Sequence, residues 1–291
     1  MVTGDAVGMA KLNRISDGAA KARHELLLRA KSAMQGGRPG EAEHIAREVL
    51  AKHPDNSETL RLLGIALLAQ GRSRDAIMPL EAAVRGRADP ILETDLARAL
   101  HQSGRSADAI ACLQQAVTRQ PPLARAFRQL AVLLCTMRRF DEAESVAKRG
   151  LEAAPTDPEL SVVLGGICLT RSDAVGAKLA FARALANAPG YSRAMHGFGT
   201  ALLYEGDFGE AAKRFQRVLA DDPAHPRAGL DLGHCLLELG RFDEAITCLR
   251  ATVKAAPQQY GKALRTLVAA GRGRFWIRPS QAAEFLLRGN G

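Results

Sequence analysis

Residues 239–245 read L-G-R-F-D-E-A, and residues 137–143 read M-R-R-F-D-E-A, three periods of 34 residues earlier in the chain. In both copies a proline follows twelve residues after the last alanine, at Pro257 and Pro155. A repeat of this length determines the fold by itself, because such a unit cannot bury its apolar face alone and must pack on its neighbours.

The same spacing recurs along most of the chain. Prolines stand 34 residues apart at Pro121, Pro155, Pro189, Pro223 and Pro257. An alanine lies twelve residues before each proline, and a Gly or Ala lies twelve residues before that alanine. A turn that contains glycine in most copies lies between the two small residues. Glycine suits the end of a helix and proline blocks its continuation, so each unit is predicted to be a pair of helices.

The small and large residues of each unit have a packing reason. Small residues at the eighth and twentieth positions let the two helices approach closely. Larger apolar residues at positions 4, 7, 11 and 24 recur at helical spacing. In the sixth unit these are Met195, Phe198, Leu202 and Phe215.

This pattern resembles the tetratricopeptide repeat family, for which the 34-residue period and the spaced small residues and proline are typical. The resemblance implies an all-α solenoid, a right-handed superhelix of antiparallel helix pairs. We assign residues 1–22 to a flexible lead-in and the start of the first helix, and residues 260–291 to a degenerate eighth pair that caps the array. The seven repeats are 23–56, 57–89, 90–123, 124–157, 158–191, 192–225 and 226–259.

Composition agrees with a helical chain and excludes several classes of protein. Of the 291 residues, 47% are hydrophobic but only 4% are aromatic, which is too few aromatic residues for a large sheet. The five cysteines have no C-x-x-C spacing, so neither a disulfide framework nor a zinc site is expected. The N-terminus lacks an apolar signal region, and no stretch of about 20 apolar residues could span a membrane. We expect a cytoplasmic, bacterial protein.

Motifs for catalysis or for cofactors are not found. The chain contains no phosphate-binding loop, no H-E-x-x-H and no G-x-S-x-G. Its seven histidines are scattered, and none pairs with another at metal-ligand spacing on one helix. The prediction is a non-enzymatic protein without a metal or cofactor.

The family resemblance implies that the first helix of each repeat lines a concave groove that binds a peptide or helix of a partner. Positions 2, 5, 9 and 12 of these helices would face the groove, and many of them are basic. Since arginine suits carboxylates, an acidic or carboxylate-bearing segment is the expected partner. The alternative is that these side chains are solvated or pair with glutamates of adjacent repeats. The predicted groove residues are Arg61, Arg98, Arg125, Arg128, Arg193, His196, Arg227 and His234.

Other partners fit less well. The net charge of +9 permits nucleic acid, but the predicted groove lacks aromatic side chains on which bases could stack. Some relatives clamp a chaperone's C-terminal carboxylate with lysines and asparagines on consecutive repeats, and that set is missing here.

Residues 271–279 read G-R-G-R-F-W-I-R-P and include the single tryptophan of the chain. Phe275, Trp276 and Ile277 fall in the turn of the eighth helix pair, where a solenoid needs a cover for its last apolar surface. We expect them to seal this end of the array. A docking site for a partner is the alternative.

The sequence therefore predicts a monomeric scaffold or adaptor that binds a partner protein in its groove. Two alternatives stay open. The chain could be a targeting or regulatory subunit of a separate enzyme, such as a transferase or hydroxylase, or it could be a self-assembly module.

Overall fold

The computed structural model describes residues 21–269 and 279–287, and every regular element within them is a helix. Residues 21–35 are helical and form the described part of α1. The other helices are α2 (Pro39–Lys52), α3 (Ser57–Ala69), α4 (Ser73–Gly86), α5 (Pro90–Gln102), α6 (Ser106–Ala116), α7 (Ala124–Thr136), α8 (Phe140–Ala153), α9 (Pro158–Thr170), α10 (Ala174–Asn187), α11 (Ser192–Glu205), α12 (Phe208–Asp221), α13 (Pro226–Glu238), α14 (Phe242–Ala255), α15 (Tyr260–Ala269) and α16 (Pro279–Leu287). A short 3-10 turn, Pro257–Gln259, precedes α15.

Consecutive helices pack as pairs, and the predicted all-α repeat fold is confirmed. The helix contacts divide the chain into two compact units, Met1–Leu133 and Leu134–Gly291, called here the N-terminal and C-terminal units. In the N-terminal unit α3 packs on α4 and α5 on α6, and the first helices α3 and α5 also touch each other. In the C-terminal unit the first helices α9, α11, α13 and α15 contact one another in sequence.

Local sequence explains where the first helices begin. Asn56 and Asp157 accept the backbone N–H of Thr59 and Leu160, as N-cap side chains do. His225 has the same role for α13, since its ring nitrogen accepts the N–H of Ala228. Helices α5, α9 and α13 also have proline in their first turn, where the missing N–H costs nothing.

The two small residues of each repeat lie where its helices meet. The alanines at the twentieth position are all fully buried: Ala42, Ala76, Ala109, Ala143, Ala177, Ala211 and Ala245. At the eighth position, glycine accommodates a large side chain from the second helix. A Cβ on Gly64 would lie 2.4 Å from Leu80 Cγ, and one on Gly165 would lie 2.7 Å from Phe181 Cζ. Glycine at these positions therefore sets the distance between the paired helices.

Helices α15 and α16 pack on each other and on α14 in the C-terminal unit. Their buried residues are Ala263, Leu267, Ala282 and Leu286. These side chains extend the apolar core formed by α12, α13 and α14. The predicted sealing residues Phe275, Trp276 and Ile277 lie outside the described residues.

Candidate partner-binding site

The most concentrated group of predicted groove residues lies on three first helices of the N-terminal unit. Arg61 is on α3, Arg98 is on α5, and Arg125 is near the start of α7. Helical spacing of three places Asp95 and Arg98 on one face of α5. The contact between α3 and α5 brings Arg61 to the same face.

Three of these arginines meet at Asp95, whose side chain is fully buried. Arg61 Nε donates to Asp95 Oδ2 at 2.7 Å. Arg125 Nη2 and Arg98 Nη2 donate to Asp95 Oδ1 at 2.7 and 3.2 Å. The three arginine side chains are each about one-third exposed. Asp95 therefore restrains one nitrogen of each arginine, while each arginine side chain remains partly exposed.

Positive charge exceeds negative charge at this cluster, which we name the Asp95 cluster (Arg61, Asp95, Arg98 and Arg125). Burial lowers the pKa of the Arg98 guanidinium. Asp95 opposes this shift, whereas the positive charges of Arg125 and Arg61 add to it. Arg98 Nε is buried and has no hydrogen-bond partner. One carboxylate thus does not satisfy the three cations around it.

Arg128 lies one helical turn from Arg125 on α7. Its Nε is also buried without a hydrogen-bond partner. Next to it, the Gln129 amide is best oriented so that its nitrogen donates to the Thr94 carbonyl and its oxygen accepts from Arg125 Nε, both at 3.3 Å. The start of α7 is therefore joined to α5 by a polar contact in addition to the ion pair of Arg125.

The predicted groove residues of the C-terminal unit do not converge on one point. Arg193 pairs with Glu159 at 2.8 Å, and His196 contacts Asp231 at 2.9 Å. His234 is 3.7 Å from Glu238 on its own helix, and Arg227 is exposed. In this unit the observed pairing matches the alternative stated above for Arg193, because a glutamate of the adjacent repeat accepts its hydrogen bond.

Two buried carboxylates were missed by the sequence reading. Asp95 occupies the sixth position of its repeat, and the same position holds Asp231, which contacts His196 from the preceding repeat. Glu93 occupies the fourth position, where neighbouring repeats have Leu60 and Phe127. An acid at an apolar position was the available signal for Glu93, whereas the sixth position varies in polarity from repeat to repeat and gave no clear signal for Asp95.

No group of three or more His, Cys, Asp or Glu within residues 21–269 and 279–287 could hold a metal ion. Burial raises the pKa of the thiols of Cys112 and Cys248 to about 11 and of Cys235 to about 12. These three cysteines are therefore thiols at neutral pH, whereas a nucleophile must be a thiolate. Among the same residues, none of the helices is both long and apolar enough to cross a bilayer.

Comparison with known proteins gives matches at the level of repeats. One family model, described as tetratricopeptide repeat, matches residues 27–90, 94–158 and 128–192. A second model with the same description matches residues 202–269. No curated protein matches the chain.

Several solved structures share the arrangement of helices. A tetratricopeptide repeat protein from Parabacteroides merdae is 14% identical, with a TM-score of 0.62 over 92% of this chain and 100% of that one. PilF from Pseudomonas aeruginosa is 16% identical, with a TM-score of 0.62 over 74% of this chain and 96% of that one. YrrB, described as a repeat protein with an unusual peptide-binding site, is 21% identical, with a TM-score of 0.52 over 65% and 96%. At these identities the likeness shows a shared fold.

Proposed function

The chain belongs to the tetratricopeptide repeat family, and on this premise we propose that it is a non-enzymatic scaffold whose first helices bind an acidic or carboxylate-bearing segment of a partner protein. Proteins of this family are typically interaction scaffolds. The peptide-binding site described for YrrB is consistent with such a role for a chain of this fold. We propose further that the scaffold is a monomeric, cytoplasmic protein of a bacterium.

The observation that supports this function best is the Asp95 cluster. A guanidinium group has five N–H donors, and each arginine of the cluster gives Asp95 only one hydrogen bond. Because the side chains are partly exposed, the donors of Arg61 and Arg125 that neither Asp95 nor Gln129 engages can bind a carboxylate that arrives from solvent. The planar, two-pronged shape of the guanidinium suits such a carboxylate.

The ion pairs with Asp95 determine which variants can test the proposal. Replacing Arg125 by an acid would set a second negative charge beside a buried carboxylate, so the helices would be disturbed together with the site. Arg128 has no ion pair within the described residues, and its reversal avoids that complication. Arg61→Gln keeps a donor toward Asp95 and removes one positive charge.

The experiment measures binding of fluorescent peptide libraries to the full chain by fluorescence anisotropy. One library has a high content of Asp and Glu, a second has Asn and Gln in their place, and a third has Lys. The wild type should prefer the acidic library, and its affinity should fall with added salt because screening weakens exposed charges. The double variant Arg61→Gln/Arg128→Glu should lose about tenfold or more of this affinity, since each charge-assisted contact contributes about 1.5–3 kcal/mol.

A matched control changes arginines of the second helix α4. Arg74 and Arg85 are exposed on that helix, and neither pairs with Asp95. The double variant Arg74→Gln/Arg85→Glu has the same change in net charge and should bind the acidic library like the wild type. Equal losses in both double variants would show that net charge alone attracts the peptides, and the proposed site would be wrong.

A further inference from the structure

The Asp95 cluster has more positive than negative charge. Three guanidinium groups share one carboxylate, and Arg128 adds a fourth positive charge one turn along α7. Other acids on the first helices have different partners. Glu58 accepts from Lys31 at 2.6 Å, and Glu93 pairs with Arg119. Two positive charges at Asp95 are therefore uncompensated, without counting Arg128.

The donors of the cluster also lie close together. Arg98 Nη2 and Arg125 Nη2 donate to the same oxygen of Asp95, so these two nitrogens are within about 6 Å of each other. Arg61 reaches the other oxygen of the same carboxylate. A single small anion above Asp95 can thus receive hydrogen bonds from more than one arginine.

Charge and the number of acceptor atoms distinguish the candidate anions. A carboxylate has one negative charge and two oxygens, whereas a phosphoryl group on a side chain has a charge of about −1.5 to −2 and three strong acceptor oxygens. The dianion balances both uncompensated charges, and its third oxygen suits a cluster of three arginines. We infer that the Asp95 cluster binds a phosphorylated side chain of the partner segment. This inference rests on the proposed function, because it takes the partner to lie along the first helices.

The surroundings favour a phosphorylated protein over a nucleic acid. Single-stranded nucleic acid binds on aromatic side chains that stack with its bases. Phe127 is the only aromatic residue in the sequence of residues 1–133, and it is buried. Among the described residues of this unit, a base beside the phosphate would find no Phe, Tyr or Trp ring to stack on, and the exposed His101 is the one nearby imidazole on α5.

Asp95 acts as a positioning residue in this site. It is fully buried and accepts one hydrogen bond from each arginine, so the three side chains are restrained before a ligand binds and the ordering cost of binding is lower. A bound anion would also offset the burial and the like charges that lower the pKa of Arg98.

The test uses the full chain and peptide libraries with one fixed central residue: phosphoserine, glutamate or serine, each within the same acidic context. Fluorescence anisotropy should show affinity for the phosphoserine library at least about tenfold above that for glutamate, because more donors can engage it. Inorganic phosphate should displace the phosphoserine library at millimolar concentration, whereas acetate should not. Arg61→Lys keeps the positive charge but removes the planar guanidinium with its paired donors, and it should reduce the preference for phosphoserine.

Urea unfolding of Arg61→Lys accompanies the binding measurements, so that a loss of fold is recognised. Arg128→Gln serves as a second variant that leaves the ion pairs of Asp95 intact, and it should also weaken phosphoserine binding. Equal affinity for the phosphoserine and glutamate libraries would overturn the inference while the proposed function stands. If none of the three libraries bound in an arginine-dependent manner, both would be overturned. Tighter, arginine-dependent binding of a single-stranded oligonucleotide would also refute the inference.

Discussion

Arg119 Nη2 and Nε both donate to Glu93 Oε1, at 2.7 and 3.1 Å, and the Glu93 carboxylate is almost completely buried. Glu93 occupies a position that is apolar in the neighbouring repeats. A buried charge costs several kcal/mol unless it is paired and hydrogen-bonded. This pair therefore makes the third repeat depend on one side chain that follows the end of its second helix.

Removal of the cation should destabilise the chain strongly. Arg119→Met leaves Glu93 buried without its partner, and we expect the free energy of unfolding to fall by about 2–3 kcal/mol. Breaking a fully buried pair costs about 3–5 kcal/mol, and the expected loss is smaller here because Arg119 is partly exposed. Urea unfolding followed by circular dichroism measures this loss. The double variant Glu93→Leu/Arg119→Met restores the apolar pattern and should recover most of it. No recovery would mean that the pair does not explain the loss.

Two adjacent glycines of α9 should respond to alanine with opposite signs. A Cβ on Gly165 would lie 2.7 Å from the ring of Phe181, so Gly165→Ala should lower the stability by about 1–3 kcal/mol through overpacking. A Cβ on Gly166 meets no atom within 4 Å, and Gly166→Ala should raise the stability by about 0.5–1 kcal/mol because alanine favours the helix. Thermal unfolding of the two variants makes the comparison. Similar effects in both would contradict the close packing of Gly165 on Phe181.

One residue in the turn between α7 and α8 has a strained backbone conformation that a substitution should relieve. Arg138 has φ of 61°, whereas the equivalent position of the turn before α14 is Gly240, with φ of 76°. The left-handed conformation costs a residue with a side chain about 1–2 kcal/mol. Glycine avoids this cost, but it also gains conformational entropy in the unfolded chain, which cancels part of the benefit. Arg138→Gly should thus raise the free energy of unfolding by about 0.5–1 kcal/mol.

Gly240→Ala provides the reverse test of the same conformation. It should lower the free energy of unfolding by about 1 kcal/mol, since alanine must adopt the left-handed region. Chemical denaturation of the two variants beside the wild type measures both changes. A loss of stability in Arg138→Gly would show that the exposed arginine makes a contact that outweighs the strain.

His225 should make the stability depend on pH. Its Nδ1 accepts the N–H of Ala228 at 3.1 Å, and its ring lies 5.2 Å from that of His196. Burial, followed by the charge of His196, lowers the pKa of His225 below its ordinary 6.5, although Asp222 and Asp231 act in the opposite direction. As pH falls below 6.5, the unfolded chain binds a proton that the folded chain resists, so stability is lost in that range.

His225→Asn keeps a good N-cap and removes the titrating group. Urea midpoints at pH 8 and pH 5.5 should differ less in this variant than in the wild type, because the proton uptake of the unfolded chain is smaller. Should the two proteins lose stability equally on acidification, His225 would not be the responsible group.

The period of 34 residues was sufficient to predict the helices, the turns and the small residues between them. Each of these features depends on neighbours within one repeat or on the next repeat, so a local pattern repeated in phase contains the information. The alanines at the twentieth position and the left-handed glycines are where the pattern predicts them. Arginines on the first helices could be predicted in the same way, as residues at fixed positions of the repeat.

Which charges would meet was decided only by the tertiary structure. Asp95 forms ion pairs with Arg61 of the preceding repeat and with Arg125 of the following repeat. The repeat pattern does not specify an acid at this position. The offset between adjacent first helices and the reach of each side chain determine these contacts, and neither follows from residue spacing. By itself the sequence determined a helical repeat array with arginines on its first helices. The packing of α3, α5 and α7 decided that three of them share one buried carboxylate, which leaves two positive charges uncompensated.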